Sequence, residues 1–512
     1  MKAATEIRLP MNRVEGDLEI RVEVTDGHIS EAYSVGTMYR GFENLLRGRA
    51  PLDGLVITPR ICGICSTAHL MAAAKALDDV FGARVPGNGT RVRNVSLMVE
   101  QIQNDLRHMF LLFAVDFTRP AYAGLPLYEE AVRRHTPLRG TSSSQAIRET
   151  KRLVEIVAIL GGQWPHSSFM VPGGVVSVPT ANEVNQCRSL LASFRKWYEG
   201  RILGCRLERW REVDSGPALQ AWLDESDAHR ESDLGFFLRF SRQAGLDAIG
   251  GGHGNFLSFG GLKIPESSSV SAPDGGLHLV PSGFVSSGRK EAFDPAVITE
   301  DIGFSRFTGY TGGRHPSEGI TVPDTDRAGD ARRSWAKAPR YGRRPAETGP
   351  LAERIVAADP LFCDLVGDGE GSVFARQLAR LVRPALLFPA VDTWLKEIAS
   401  SGEGFYKTYR GVDRGDGFGA VQAHRGALGH WITIENVKIA RYQVITPTAW
   451  NASPRDDEGV RGPVEQALIG LPVADPEDPI AVEHVVRSFD PCLVCTVHAI
   501  EGEGTLRPVT FF

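Results

Sequence analysis

Leu18, Ile20, Val22 and Val24 alternate with polar residues near the start of the chain. Asp26-Gly27 then supplies a tight turn and Ile29 to Val35 returns, which predicts a β-hairpin over 17–36. Arg40-Gly41-Phe42-Glu43 leads into a short helix at 44–46, and 68–81 also reads as helix. After that the period is helical. Val95, Met98, Ile102, Leu106, Met109 and Phe113 recur at helical spacing within Val92–Phe117. Ser143–Leu160 and Ala181–Leu203 repeat the pattern with charged opposite faces. These segments predict a helical core over about 68–244 that resumes at 351–400. The stretch 245–350, with Gly250-Gly251-Gly252-His253-Gly254 as its extreme, has little periodicity and predicts loops and short strands draped on the bundle. Its arginines, from Arg332-Arg333 through Arg343-Arg344, suit a solvated or partner-facing loop. A second hairpin is expected where His430 to Ile434 turns at Glu435-Asn436 into Val437–Val444. The expected class is α+β, a large central helix bundle with peripheral β-hairpins.

Composition narrows the function more than the fold. The 512 residues show no internal repeat or low-complexity tail, so a single large unit is expected. A hydrophobic share of 42% excludes a disordered chain, and a net charge of −5 leaves no basic field for nucleic acid. Apolar runs such as Met109–Phe117 stop well short of a bilayer span. Met1 to Glu6 opens without a secretory signal, so the cytoplasm is expected, with any membrane attachment made only through partners.

The seven cysteines are too few for a disulfide scaffold, but they are unevenly placed. Cys62-Gly63-Ile64-Cys65 and Cys492-Leu493-Val494-Cys495 are both C-x₂-C pairs, whereas Cys187, Cys205 and Cys363 are scattered singles. Two-residue spacing turns both sulfurs of a pair toward one metal. A structural zinc site keeps its pairs within a few tens of residues, and these lie more than four hundred apart. Two thioredoxin-like pairs would need two compact βαβ units, and neither pair sits in one. Thiolates favour nickel, iron, copper(I) or zinc over hard cations.

Several further strings accompany the pairs, in this order: Arg13-Val14-Glu15-Gly16, Met38-Tyr39-Arg40-Gly41-Phe42-Glu43, Arg60-Ile61 before the first pair with Ala68-His69 after it, and Pro172-Gly173-Gly174-Val175. Arg425-Gly426-Ala427-Leu428-Gly429-His430-Trp431, Pro447-Thr448-Ala449-Trp450-Asn451 and Asp490-Pro491 with Thr496-Val497-His498 around the second pair complete the series. The whole chain resembles the large subunit of a nickel–iron hydrogenase. The resemblance implies nickel on Cys62, Cys65, Cys492 and Cys495, with Cys65 and Cys495 bridging to an iron that carries one carbon monoxide and two cyanides. Splitting dihydrogen heterolytically needs a metal for the hydride and a base for the proton. Cys492 would be the nearest base and Glu15 the next proton carrier. Arg425 would sit over the open metal position. Pro447 and Thr448 would line the cofactor, with Thr448 donating to a cyanide. His69 would hydrogen-bond a bridging sulfur. Glu43, the carbonyl of Val444 and His498 would hold magnesium or a similar hard ion. The metal-binding segment would thus span 425–498, and residues 499–512 resemble the tail that a maturation protease removes.

The chain also departs from the family pattern. Asp17 stands where His is frequent, His424 where Pro commonly precedes the arginine, and Asn104 where many relatives carry an Asp that supports that arginine. Asp105 is adjacent but points about 100° away on a helix. These departures resemble the cytosolic uptake-type and sensory branches. An H2-sensing subunit is the first alternative; the tail past His498 disfavours it. A complex I-like quinone-site subunit is the second, and the intact cysteine pairs argue against it. Three leftover cysteines cannot hold a four-cysteine cluster, so an iron–sulfur small subunit is implied as partner. Nickel-insertion factors and a higher oligomer of heterodimers are implied with it.

Overall fold

The computed structural model describes residues 5–324, 333–367 and 369–492. At the N-terminus β1 (Thr5–Pro10), β2 (Leu18–Thr25) and β3 (His28–Gly36) form an antiparallel sheet in that order. Thr25 pairs with His28 across Asp26 (φ 51°) and Gly27 (φ 82°), two left-handed residues of the kind that close a two-residue hairpin. Leu18, Ile20 and Val22 are buried, as their alternation requires, and β1 adds a third strand to the expected pair.

The helical part rests on α1 (Ser66–Val80), α2 (Gly87–Arg107), α3 (Thr141–Leu153), α4 (Ala181–Trp197) and α5 (Val373–Ser400). Two of these end sooner than their periodicity suggests. After Arg107 and after Trp197 the backbone widens into π turns, His108–Phe113 and Tyr198–Leu203. Such turns insert a residue without breaking the apolar spacing, so a pattern read at 3.6 residues per turn passes over them. The Ser143–Leu160 segment divides at Val154, with a separate helix from Glu155 to Gly161.

The glycine-rich stretch is more regular than its sequence suggests. It holds β4 (Asn255–Lys263), β5 (His278–Ser286) and β6 (Arg289–Glu291), an antiparallel sheet. Seven consecutive residues of β4, Phe256 to Leu262, are buried, and covering both faces erases the period-two signal. The arginine patch is corrected in part, since Arg343 is exposed as expected. Arg340 is fully buried, with Nε 2.7 Å from Asp456 Oδ2, so its guanidinium holds the interior together instead of facing solvent.

The last sheet, β7 (Arg414–Ala423), β8 (Gly426–Glu435) and β9 (Lys438–Ile445), is antiparallel with β8 central. Ala423 pairs with Gly426, so His424 and Arg425 are the two-residue tip of a buried hairpin. Helix α1 lies directly on β7. A Cβ on Gly417 would sit 2.2 Å from the Ala76 carbonyl oxygen, and one on Gly419 would sit 2.0 Å from that of Ala72. Only glycine permits this approach, and it brings Cys65, at the N-terminus of α1, toward the hairpin tip. Helix α6 (Ile480–Ser488) then returns the chain to the same place, ending at Asp490, Pro491 and Cys492. Among the described residues no helix is long and apolar enough to cross a membrane.

Candidate metal centre

Cys62 lies in the turn before α1 and Cys65 caps that helix. The Sγ atoms of Cys62 and Cys492 are 3.5 Å apart, and those of Cys62, Cys65 and Cys492 all fall within 4.8 Å of one another. All three are buried. Three soft donors converging in a dry interior suit nickel and iron, so the residues fit the expected centre. Cys495 and His498 lie outside the described residues. Cys187 and Cys363 stay apart from this cluster, and Cys205 accepts the indole N–H of Trp222 at 3.4 Å.

Glu15 and Cys492 form a parallel backbone bridge, and the Glu15 carboxyl lies within electrostatic reach of Cys62, Arg425 and Asp490. Burial first, and then the negative charge of Cys62, raise the Glu15 pKa against the pull of Arg425. A half-buried acid with a raised pKa can both take and release a proton.

Arg425 is buried, with Nε 3.0 Å from Asp490 Oδ1 and Nη1 2.7 Å from His424 Nε2. Burial works against its charge, yet Asp490, Cys492, Cys62 and Cys65 outweigh it and hold the guanidinium protonated. Asp490 is itself held by Asn104 Nδ2 at 2.9 Å and Arg380 Nη1 at 3.2 Å. Burial opposes its ionisation too, but Arg425, His108 and Arg380 push its pKa well down. Asp105 turns away from the site and pairs with Arg383, with contacts of 2.7 and 2.8 Å.

His69 Nδ1 lies 3.1 Å from His430 Nε2, and His430 Nδ1 lies 2.8 Å from the Tyr442 hydroxyl. Only Nε2 of His69 is left for a sulfur, and burial lowers its pKa to about 4, so the ring is neutral. Thr448 Oγ1 accepts the Cys492 amide N–H at 2.9 Å, and its own hydrogen stays available to donate. Pro447 opens the short helix Pro447–Asn451 that presents this threonine.

The expected hard-ion site is differently furnished. Glu43 Oε1 accepts the amide N–H of Val444 at 2.9 Å. Its Oε2 takes the Thr321 hydroxyl and lies 3.5 Å from Lys337 Nζ. Lys337 in turn reaches Glu300 at 3.6 Å and Gln443 at 2.7 Å. Glu43 and Val444 meet through the Val444 amide, and a lysine ammonium lies by the other Glu43 oxygen.

Sequence reasoning missed the arginine row on α5. Arg376, Arg380 and Arg383 are buried and pair with Glu347, Asp490 and Asp105. Arginines at helical spacing in an otherwise apolar helix were the available signal, because a buried guanidinium needs a carboxylate partner. Glu100 was missed as well. Its carboxylate accepts the amide N–H groups of Thr67 at 2.9 Å and Ala68 at 3.1 Å, capping α1 directly behind Cys65.

The profile of the family "Nickel-dependent hydrogenase" matches residues 40–124 and 237–498. This chain belongs to the nickel-dependent hydrogenase family. It is 35% identical to the periplasmic [NiFeSe] hydrogenase large subunit of Desulfomicrobium baculatum, over 96% of this chain and 95% of that one. It is 28% identical to an uptake hydrogenase large subunit of Rhodobacter capsulatus, over 97% and 95% respectively. A solved Dm. baculatum [NiFeSe] hydrogenase superposes with a TM-score of 0.82 at 33% identity, covering 97% of this chain and 100% of that one. The D. vulgaris Hildenborough Ni-Fe-Se enzyme gives 0.81 at 31% identity, with the same coverage. This is a nickel–iron hydrogenase large subunit, an oxidoreductase acting on H2. As in hydrogenases generally, it pairs with a small subunit.

Proposed function

We propose that this hydrogenase subunit runs in the uptake direction, oxidising H2 and passing electrons to iron–sulfur clusters of its small subunit. The observation that carries the reading is the convergence of Cys62, Cys65 and Cys492 beside Glu15 and Arg425. Together with Cys495 these cysteines would hold nickel, with Cys65 and Cys495 shared by an iron carrying one carbon monoxide and two cyanides. The centre, once bound, supplies the redox-active Lewis acid that polarises dihydrogen. The Cys492 thiolate takes the proton, being the ligand against which Glu15 is fixed. Glu15 receives it next, since its raised pKa lies nearer to that of a thiol than an ordinary carboxylate does. Arg425 is a cation that Asp490 keeps in place, so it presents positive charge without reorganising as the bond polarises. Thr448 would have its hydroxyl hydrogen to give to a cyanide, Pro447 would line that side, and His69 Nε2 would be the nitrogen left for a cysteine sulfur.

Magnesium or a similar ion on Glu43, the Val444 carbonyl and His498 would share Glu43 with Lys337, so the ion and the ammonium would need water between them. We also assign a protease cut after His498, with nickel-insertion factors acting first. The match to the family profile ends at His498, which supports this. The heterodimers are taken to assemble further.

Metal analysis of the copurified complex tests the reading, together with H2-dependent reduction of a dye. About one nickel per large subunit, iron in several-fold excess because the small subunit carries iron–sulfur clusters, and rapid turnover are expected. Zinc alone overturns it, and nickel with only trace turnover favours a sensor.

A further inference from the structure

His424 is completely buried at the tip of the β7–β8 hairpin. Its carbonyl accepts Arg383 Nη2 at 2.7 Å, which ties the tip to α5. Its ring turns toward the next residue, with Nε2 2.7 Å from Arg425 Nη1. A guanidinium has donors only, so Nε2 must be the unprotonated nitrogen and the ring hydrogen sits on Nδ1. Nδ1 has no hydrogen-bond partner among the described residues. A buried orphan donor is unfavourable, so the Nε2 contact is kept at a sacrifice on the other side of the ring.

We propose that His424 is a positioning residue for Arg425, its neutral Nε2 fixing the rotation of the guanidinium over the cysteine cluster. Asp490 Oδ1 lies 3.0 Å from Nε of Arg425 as an ion pair without hydrogen-bond alignment, which leaves the planar group free to pivot. The imidazole at Nη1 supplies the directional contact that removes that freedom. A proline at 424 has no side-chain acceptor and could not do this. Burial and the adjacent Arg425 charge keep the ring neutral, as the contact requires. The inference rests on the reading of Arg425 as acting at the metal centre.

The test uses the complete complex with its small subunit and compares His424→Gln, His424→Leu, His424→Met and Arg425→Lys. Glutamine Oε1 can reach the place of Nε2 and accept, whereas leucine and methionine fill space without a comparable acceptor. His424→Leu and His424→Met should keep nickel and iron but lose about 10- to 100-fold in kcat, with KM for H2 little changed, as misplacement of a catalytic group does. Their nickel electron paramagnetic resonance lines should broaden as the guanidinium takes several orientations. His424→Gln should restore narrow lines and most of kcat. Wild-type rate and linewidth in the two apolar variants overturn the proposal, and so does a glutamine variant as impaired as they are. If the apolar variants lose metal, the glutamine variant decides alone: narrow lines and near-normal kcat support the acceptor role, and broad lines refute it. Full activity in Arg425→Lys would instead overturn the role of Arg425, a result separable from any His424 outcome.

Discussion

Arg487 Nη1 lies 2.5 Å from Asp116 Oδ2, and Arg13 takes the other oxygen of the same carboxylate. Arg487 Nη2 also reaches Asn12 Oδ1 at 2.5 Å. Asn12 and Arg13 lie three and two positions before Glu15, and Arg487 lies three before Asp490, so one buried aspartate ties the segment that carries Glu15 to the one that carries Cys492. Asp116→Ala should cost about 3–5 kcal/mol, because it leaves two buried or half-buried arginines without their partner. Denaturant unfolding and nickel content check this; an unchanged midpoint would show that the clasp does not hold.

The cysteines should divide cleanly. Cys62→Ser, Cys65→Ser and Cys492→Ser are each expected to abolish H2 oxidation and nickel retention, whereas Cys187→Ala, Cys205→Ala and Cys363→Ala should lose only packing. Nickel-to-protein ratios decide it. A Cys492→Ser protein with normal nickel and rate would remove that residue from the ligand set.

Glu15→Gln keeps size and hydrogen bonding but cannot ionise. Hydrogen–deuterium exchange catalysed by the loaded enzyme should fall by about 10²–10⁴-fold, the range a positioned acid–base group contributes. The nickel resonance should stay in place. Unchanged exchange would route protons from Cys492 to solvent by another path.

Gly419→Ala tests the packing that brings α1 to the hairpin. Its Cβ would fall 2.0 Å from the Ala72 carbonyl oxygen, a contact only backbone movement can relieve. The variant should melt earlier and bind less nickel, although residue 419 touches no ligand. A wild-type melting temperature would mean that the helix can slide without penalty.

Glu100 gives the fold a pH dependence. Burial raises its pKa from 4.5 to about 7, against the donors Thr67, Trp164 and Ala68. An acid whose folded pKa is raised favours the folded state fully below the unfolded pKa and loses that contribution as pH rises through the folded one. Through this group the melting temperature should therefore fall between pH 4.5 and 7. In Glu100→Gln the fall should be smaller over the same interval, and an identical slope in both proteins would place the titration elsewhere.

The meeting of Cys62, Cys65 and Cys492 was legible because chemistry constrains it locally: a C-x₂-C turn announces itself within four residues. The N-terminal hairpin was legible for the same reason, Asp26-Gly27 being the turn its strands need. What closes the site was not. Asp116, Glu100 and the arginine row of α5 act across distances that no short pattern records, and each reads alone as an ordinary polar residue. The strands of 245–350 were hidden by burial on both faces. The π turn at His108–Phe113 was hidden because it leaves the apolar spacing nearly intact, yet it sets His108 Nε2 2.8 Å from the Arg487 carbonyl oxygen. The sequence pointed to Glu43, but not to Lys337 beside it.

The 430 positions between Cys62 and Cys492 are also an interval of time. At about 5–20 residues per second, a ribosome needs about 20–90 s to travel from one to the other. For that period Cys62 and Cys65 belong to a nascent chain that has no second pair to meet. Exposed thiols oxidise, and a stray soft cation could seize them before the chain is complete. A protein built this way depends on the reducing power and metal hygiene of the place where it is made, whatever compartment it later serves.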